Sequence, residues 1–341
     1  MNRKRTTAVA AVLVAVAAVI AAAAGATKPA SGTSTGTGQV FFPNPVAQLQ
    51  NQSLTDQKDA DYAALAPAYT TVTLTDLDGS GYLRGKWANV LSETGNPAYS
   101  PTNTFVYNRS QDEFEQVMGY YWVTQAQLYL QSLGFGSTRR PVNMESQDLR
   151  INTWGVDNSY SWDKHDVMRF GKGGVDDAED SEVILHEYGH AIHDSQVASF
   201  GTSLEAGSIG EGFGDYFAVT VTNYYAPTPD APCVADWDAV SYTSTVPHCL
   251  RRVDSNLHYP ANVRGEVHAD GRLWSRALWD IRQGLGREKA DTAIVEAQFA
   301  FAADTSFAAA ATTTVATAQS LYGSAAAQVV HDAFAARGFI Q

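Results

Sequence analysis

The stretch LHEYGHAIHDSQ, residues 185–196, contains three histidines whose spacing could do metal chemistry. His186 and His190 are one helical turn apart and would share a face of a helix, so their ring nitrogens could bind a single Zn²⁺ ion. Glu187 directly follows the first of them. Its carboxylate could take a proton from a water whose pKa zinc lowers to about 7. The H-E-x-x-H pattern therefore indicates hydrolytic metal chemistry.

A catalytic zinc site needs a third protein ligand, and a histidine further along the same segment is one candidate. In one known arrangement that histidine lies six residues beyond the second ligand, where this chain has Gln196. His193 follows His190 by only three residues, and an ion bound by the H-E-x-x-H pair would lie over the turn between them. We therefore expect His193 to lie beside the site or at the surface.

A glutamate on the next predicted helix is the other candidate for the third ligand. The stretch EAGSIGEGFGDYFA, residues 205–218, provides Glu211, although an acid near a helix N-terminus is also favoured by the helix dipole alone. Asp215 lies one turn later on the same face and could accept the second ring N–H of a ligand histidine. Two histidines and one glutamate leave the fourth position for water, which is typical of a catalytic zinc site.

Secondary structure must position these residues, and the first half of the chain has mainly strand-like patterns. Residues 39–110 alternate apolar and polar positions between Gly, Asn and Pro turns, and residues 141–170 return to short strands. Between them, residues 110–135 predict a long amphipathic helix that Ser110 caps and Gly134 ends.

The second half of the chain predicts mostly helices. They run from Glu179 to about Gln196, from Ser208 to Tyr225, and from Leu273 onward with breaks near Gly284–Gly286, Asp304 and Gly323. We therefore predict an α+β fold of two lobes. The β-rich N-terminal lobe would span residues 39–200 and end in the H-E-x-x-H helix, and the helical C-terminal lobe would span residues 201–341.

The N-terminus has the pattern of an export signal. A basic segment at residues 3–5 precedes an apolar run at residues 8–24, and small residues suited to cleavage follow up to Ala26. We predict a signal peptide over residues 1–26, a flexible linker over residues 27–38 and a secreted protein. An uncleaved membrane anchor is the alternative, because the apolar run nearly spans a bilayer.

The cysteine content indicates the compartment in which the protein functions, and the net charge limits the partners that it can bind. The chain has two cysteines, Cys233 and Cys249, which in an exported protein predict one disulfide that closes a surface loop. The formal net charge is −13, so the basic surface that a nucleic-acid partner requires is missing from the composition. We expect no nucleic-acid partner.

The two motifs together resemble those of the fungalysin and thermolysin-like metallopeptidases, the gluzincin group. HEYGHAI followed by EAGSIGEGFGDYFA carries the resemblance, and VDDAEDSEVILHEYGHA is most similar to the fungalysin branch and its bacterial relatives. The resemblance is strong from about residue 105 to residue 341. It implies a thermolysin-like two-lobe fold in which zinc is bound by three ligands and a glutamate activates water. Those residues would be His186, His190 and Glu211 as ligands and Glu187 as the base.

Two further segments extend the resemblance. DNSYSWDKHDVMRFGKG, residues 157–173, resembles the strand that lines the cleft of these enzymes, which implies that Asn158 and Ser159 bind substrate. GEVHADGRLWSRALWDI, residues 265–281, resembles the segment with a second catalytic histidine, here His268. In the family that histidine donates a hydrogen bond to the tetrahedral oxyanion.

The chain also departs from the family pattern around His268. Thermolysin has an aspartate five residues before this histidine, where this chain has Val263. Glu266, Asp254 and Asp270 are alternative residues that could orient the imidazole ring. Fungalysins usually have a glutamate after the glycine of this segment, where this chain has Arg272.

Calcium is a second metal that thermolysin-like enzymes often bind. DLDGSGYL, residues 76–83, begins like an acidic Ca²⁺ loop, but the twelfth position is Trp87 instead of glutamate, so we expect a plain Asp-Gly turn. DDAED, residues 176–180, is the better carboxylate cluster. Acids favoured by a helix N-terminus explain it nearly as well.

We therefore predict a secreted zinc endopeptidase that acts on protein or peptide substrates with one catalytic Zn²⁺ ion. We expect a monomer with no stable membrane partner after signal cleavage. Two alternatives remain open at this point: an exopeptidase of the same fold, and a catalytically silent, zinc-stabilised extracellular binding module.

Overall fold

The computed structural model of the protein describes residues 34–153 and 156–341. The predicted signal peptide at residues 1–26 and the first part of the predicted linker lie outside these residues. The linker prediction is wrong for residues 34–38, because they form the start of the first strand and pair in antiparallel fashion with the second.

The strands of the described residues form three sheets. They are β1 (Ser34–Phe41), β2 (Tyr69–Leu77), β3 (Ala88–Ser92), β4 (Thr104–Phe105), β5 (Gln147–Ile151), β6 (Tyr160–Trp162), β7 (Val167–Arg169), β8 (Cys233–Val234) and β9 (Arg251–Arg252). One sheet has the order β2-β1-β4, the second has the order β3-β5-β7-β6, and β8 pairs with β9. In the second sheet β3, β5 and β7 are parallel, whereas β6 is antiparallel to β7 and forms an edge.

The helices dominate the second half of the chain. They are α1 (Pro45–Leu49), α2 (Glu113–Ser132), α3 (Ser181–Gln196), α4 (Leu204–Tyr225), α5 (Val267–Leu285), α6 (Arg287–Gln298), α7 (Phe307–Tyr322) and α8 (Ser324–Ala336). Strands thus concentrate in the first half and helices in the second, which confirms the predicted α+β arrangement. The exact boundary between two lobes at residue 200 stays a prediction.

The starts of α2 and α4 differ from the predictions. Ser110 does not cap α2, because the helix begins at Glu113 with no side-chain cap, and the Ser110 hydroxyl instead donates a hydrogen bond of 2.7 Å to Asn108 Oδ1. α4 begins before the predicted Ser208, because the Ser203 side chain already accepts a hydrogen bond from the backbone N–H of Ala206 at 3.1 Å.

One hydrophobic core connects the strand-rich and helical parts of the chain. α2 lies between β1, β3 and β5 on one side and α3 on the other, and Trp122 and Tyr129 are buried within it. α3, α4 and α5 pack in series, so Phe213 of α4 and Trp274 of α5 belong to the same core. The site-bearing helix α3 is therefore held between α2 and α4.

The predicted disulfide is present between Cys233 and Cys249. It joins β8 to the segment just before β9 and closes the loop between them. Among the helices in the described ranges, none has the length and apolar character needed to cross a membrane.

A buried ion pair fixes the residues that precede α3. Arg109 Nε lies 2.9 Å from Glu179 Oε1, and Arg109 Nη2 lies 2.6 Å from Asp56 Oδ1. Glu179 also accepts a hydrogen bond of 2.9 Å from the indole N–H of Trp237. Burial raises the pKa of Glu179 to about 7, although Arg109 opposes that shift. The negative charge of Glu179 is therefore stabilised by Arg109 and Trp237.

Replacing Arg109 with methionine should lower the free energy of unfolding by about 3–5 kcal/mol, because Glu179 would stay buried without its cation. Urea unfolding followed by circular dichroism measures the loss. Arg140→Met is the matched control, since the ion pair between Arg140 and Glu296 leaves Arg140 53% exposed and such pairs contribute about 0–1 kcal/mol. Equal losses in the two variants would contradict the role given to the buried pair.

Candidate active site

Helix α3 brings His186 and His190 together on one face. The helix begins where Asp180 accepts a hydrogen bond from the backbone N–H of Glu182 at 2.9 Å, two residues after the predicted start at Glu179. The Nε2 atoms of the two histidines lie 3.2 Å apart. Spacing of one turn therefore produces the convergence that the H-E-x-x-H pattern predicts.

Helix α4 places Glu211 against the same two rings. Glu211 Oε2 lies 3.2 Å from His186 Nε2, and Glu211 Oε1 lies 3.6 Å from His190 Nε2. One donor atom from each of the three residues lies within 4.8 Å of the others. Glu211 Oε2 is buried and no hydrogen bond satisfies it. Two imidazoles and a carboxylate in this arrangement fit Zn²⁺.

Glycines allow the helices to approach closely enough for this convergence. A Cβ atom on Gly189 of α3 would lie 2.9 Å from Gly214 Cα of α4, and one on Gly214 would lie 2.8 Å from His186 Nδ1. α4 and α5 meet in the same way, because a Cβ atom on Gly212 would lie 2.3 Å from the carbonyl oxygen of Gly271. Side chains larger than hydrogen at these positions would separate the three helices.

Asp215 and Arg251 orient His186 from the side away from Glu211. Asp215 Oδ1 lies 2.9 Å from His186 Nδ1, as the sequence predicts for a carboxylate behind a ligand histidine. The guanidinium of Arg251 donates two hydrogen bonds of 2.7 Å to the same carboxylate. Sequence reasoning missed Arg251, which is 36 residues from Asp215 and belongs to no local motif.

The charges around the three candidate ligands are unequal. Burial lowers the pKa of His190 to about 4, so this imidazole is neutral at pH 7. Burial also opposes the charge on His186, but the neighbouring carboxylates of Asp215 and Glu211 outweigh it and raise the pKa to about 10. The nearby histidines hold the pKa of Glu211 well below its usual range in spite of burial. Neutral His190 and ionised Glu211 are in the forms that bind metal ions.

Glu187 lies in the wall of a cavity that His186 and His268 also line. The residue is buried, and its Oε2 atom has no hydrogen-bond partner. Burial raises the pKa of its carboxyl group to about 7. The side chain lies beside His186 in the wall of the cavity, so its free oxygen can contact a bound water.

His268, at the start of α5, faces Glu211 across the cavity. Its Nε2 atom lies 3.4 Å from Glu211 Oε2, and its Nδ1 atom lies 2.6 Å from Glu266 Oε1. Of the three alternatives for orienting this ring, Glu266 is the one in contact with it. Asp270 instead accepts hydrogen bonds from the backbone N–H groups of residues 264 and 265, and Asp254 binds Arg252.

Asn158 and Ser159 lie in the wall of the same cavity as His186 and Glu187 of α3. They directly precede the edge strand β6. The Ser159 hydroxyl donates a hydrogen bond to Asp177 Oδ2. The segment that the family resemblance assigns to substrate therefore borders the candidate ligands.

His193 lies apart from the three convergent ligands. Its ring is stacked on Phe200 with centroids 4.2 Å apart and lies 4.7 Å from the ring of Phe213. The side chain is 1% exposed, so the expectation of a surface position is wrong. Its packing between aromatic rings indicates a core residue.

The two candidate calcium segments differ in the structure. Asp78 Oδ1 accepts a hydrogen bond of 2.8 Å from the backbone N–H of Ser80, which is the plain turn expected for residues 76–83. Most carboxylates of residues 176–180 are engaged with protein partners, and among them only Asp177 belongs to a group spaced for a metal ion. Calcium at this cluster stays a prediction.

The fungalysin metallopeptidase (M36) family matches residues 155–340, more than half of the 341-residue chain. The chain belongs to the fungalysin metallopeptidases. The matched region contains α3, α4 and α5, and so it includes every candidate ligand as well as Glu187 and His268.

Individual fungalysin relatives are more distant and much longer. The chain is 28% identical over 113 residues to extracellular metalloproteinase 2 of Arthroderma otae. This alignment covers 30% of this chain and 18% of that protein. It is 26% identical over 116 residues to extracellular metalloproteinase 2 of Trichophyton rubrum, with coverage of 30% and 18%. The matched region thus spans less than one fifth of these relatives.

The solved structure of the precursor of protealysin, a metalloproteinase from Serratia proteamaculans, resembles this fungalysin chain in fold. The TM-score is 0.55 at 18% sequence identity, and the likeness covers 73% of this chain and 86% of the other. This likeness confirms the predicted thermolysin-like fold.

Gly214→Ala should disrupt the site, because the added methyl group would lie 2.8 Å from the His186 ring. We expect a loss of about 1–3 kcal/mol in unfolding free energy from overpacking, together with weaker zinc binding in a competitive chelator titration. Gly210→Ala on the same helix is the matched control, since its methyl group would make ordinary contacts with the His190 ring at 3.6 Å. Alanine there should stabilise α4 by about 0.5–1 kcal/mol. Similar behaviour of the two variants would contradict the close-approach explanation.

Proposed function

We propose that this fungalysin chain is a secreted, zinc-dependent endopeptidase. The observation that carries the proposal is the convergence of His186, His190 and Glu211 beside the buried carboxylate of Glu187, one oxygen of which has no hydrogen-bond partner. A purely structural metal site has no use for that carboxylate, whereas hydrolysis needs a base next to the attacking water. The family assignment supports the same reading.

The metal would be held by His186 Nε2, His190 Nε2 and one oxygen of Glu211. Their donor set of two imidazoles and one carboxylate leaves a position for water or substrate. When bound there, zinc supplies Lewis acidity, which polarises a carbonyl group and lowers the pKa of water. Asp215 and Arg251 would keep the His186 ring in the ligating orientation.

Glu187 would act as the general base and then as the proton donor. Its free oxygen would accept a proton from the attacking water, and the carboxyl group would return that proton to the leaving nitrogen. Its place in the cavity wall next to His186 supports this role, since a proton shuttle must reach both the water and the scissile bond.

His268 would stabilise the negative charge that develops on the substrate carbonyl oxygen. Its Nδ1 atom faces the Glu266 carboxylate, so the ring must be an imidazolium to donate a second hydrogen bond from Nε2. Glu266 also caps α5, which couples the position of His268 to the start of the helix. Glu266 would thus take the place of the aspartate that Val263 replaces.

The substrate would bind as an extended chain along β6. This strand is the edge of its sheet, the position at which an extended peptide can be added as a further strand. Asn158 and Ser159 lead into β6 and border the cavity, which would bring such a peptide close to Glu187.

Secretion is part of the proposal. The relatives from Arthroderma otae and Trichophyton rubrum are named extracellular metalloproteinases, and the Cys233–Cys249 disulfide suits an oxidising compartment. The predicted signal peptide at residues 1–26 would direct export, and the mature enzyme would act as a monomer on protein or peptide substrates.

Glu187→Gln should abolish casein hydrolysis by removing the base, with a fall in kcat of about 10²–10⁴-fold. Zinc content, measured by atomic emission on the purified protein, should stay at one ion per chain because Glu187 is not a ligand. Glu296→Gln, which lies outside the cavity, is the control and should keep full activity. Wild-type rates in the Glu187 variant would refute the proposed mechanism.

The ligand assignment makes a separate prediction about the three histidines of α3. His190→Ala should lose bound zinc after dialysis, because it removes one of three ligands. His193→Phe should retain zinc, since the His193 ring packs between Phe200 and Phe213 and a phenyl ring can replace it. Loss of zinc from a folded His193→Phe protein would show that this histidine is a ligand after all.

A further inference from the structure

The cavity next to Glu187 continues past the candidate catalytic residues to an acidic inner wall. His186, Glu187 and His268 line this cavity. Asp177 and Asp238 line it as well. A group that enters this cavity from the reacting centre therefore reaches both aspartates.

Three carboxylates converge at this wall. One oxygen from each of Asp157, Asp177 and Asp238 lies within 4.8 Å of the others. Asp177 is 2% exposed and Asp238 is 4% exposed, and the Oδ1 atom of each is buried without a hydrogen-bond partner. Burial raises the pKa of Asp177 to about 7, and burial also raises the pKa of Asp238. One oxygen of each group thus lacks the hydrogen-bond partner that would stabilise its charge.

Neighbouring buried carboxylates do have such partners. Asp180 Oδ2 accepts hydrogen bonds from the backbone N–H groups of Trp237 and Asp238 at 3.1 and 3.2 Å, and Glu182 accepts one from Ala235 at 2.7 Å. Asp176 and Asp236 also have a buried Oδ1 atom without a hydrogen-bond partner, but neither residue lines the cavity. Among these aspartates, Asp177 and Asp238 are the two whose side chains lie in the cavity wall.

The described part of the chain provides no cation for this wall. Arg251 is the one arginine that lines the cavity, and its guanidinium already donates two hydrogen bonds to Asp215. The ion pairs of the described residues include none that joins a lysine or arginine to Asp157, Asp177 or Asp238. Arg251 lowers the pKa of Asp238 only in part against burial, so a cationic group from outside the chain would complement these carboxylates.

We propose that Asp177 and Asp238, with Asp157 behind them, form a specificity pocket for a lysine or arginine side chain of the substrate, at a residue flanking the scissile bond. This proposal rests on the proposed peptidase function. We call this region the acidic pocket. A cationic side chain that extends from the reacting centre would supply N–H donors to the two unsatisfied oxygens.

An apolar side chain fits the acidic pocket less well, because it would desolvate two carboxylates and give them no hydrogen bond. A calcium ion also fits less well. Calcium needs six to eight oxygen ligands, whereas the Ser159 hydroxyl already donates to Asp177 and the Tyr242 hydroxyl donates to Asp157. The remaining oxygens of three carboxylates are too few for such a shell.

Cleavage of a peptide library by the zinc-loaded wild-type protein tests the proposal directly. We expect lysine or arginine to be enriched at one of the two positions that flank the cleaved bond. For a matched pair of peptides with lysine or norleucine at that position, kcat/KM should favour lysine by about 10- to 100-fold. Cleavage with a preference for neutral side chains on both sides would overturn the acidic pocket and leave the peptidase function intact. Cleavage of no peptide would refute the peptidase function itself.

Isosteric variants identify the residues responsible. Asp238→Asn should lower kcat/KM for the lysine peptide by at least about tenfold and leave that for the norleucine peptide nearly unchanged. Asp236→Asn is the matched control, because Asp236 is buried two residues away and does not line the cavity. Its lysine preference should equal that of the wild type. Equal loss of preference in both variants would overturn the assignment to Asp238.

Binding measured without turnover separates recognition from catalysis. In calorimetric titrations of the Glu187→Gln protein, the lysine peptide should bind more tightly than the norleucine peptide, and Asp238→Asn in that background should remove the difference. Calcium chloride should leave the melting temperature of the wild type unchanged. The proposal would be overturned if calcium raised the melting temperature, Asp238→Asn abolished that rise, and the enzyme showed no preference for lysine or arginine peptides. That result would show that the three aspartates bind a metal cation.

Discussion

The close contact of α3 with α4 is the constraint on which the candidate active site depends. Gly189 and Gly214 meet with no room for a Cβ atom, and this contact brings the backbone of α4 against the His186 ring. Only at that separation can Glu211 reach the Nε2 side of the ring while Asp215, one turn later, reaches Nδ1. The glycines in the H-E-x-x-H helix and in EGFGD thus set the distance between the two helices. The candidate ligands on those helices can converge only at that distance.

Burial strengthens the electrostatic interactions that this packing creates. His186 lies between two carboxylates and is largely removed from water, so each hydrogen bond acts in a low-dielectric environment. Arg251 balances the charge of Asp215 and leaves Glu211 as the carboxylate that is available to a metal ion. The site is thus arranged as a chain from Arg251 through Asp215 to His186, in which each member fixes the orientation of the next.

Local periodicity was sufficient to predict the main parts of the fold and of the candidate site. The pair His186 and His190 follows from the helical repeat, and Glu211 with Asp215 follows from the same repeat on the next helix. Side chains that meet through tertiary structure could not be found this way. Arg251 reaches Asp215 from a short ribbon held by the disulfide, and Glu266 was one of three alternatives until α5 placed it on His268. The cap predicted at Ser110 was wrong because α2 begins only at Glu113, beyond the reach of that hydroxyl as a cap.

The loop between β8 and β9 connects the metal centre to the acidic pocket. The carboxylates at the start of α3, Asp180 and Glu182, bind the backbone of residues 235–238, and this fixes Asp238 relative to the helix that carries the histidines. β9 follows the disulfide and provides Arg251 to the same wall. A substrate residue in the acidic pocket would therefore contact an element that is rigidly tied to Glu187. Because binding energy aids catalysis when it positions the reacting bond, a cationic side chain held there should increase the rate of the chemical step as well as affinity.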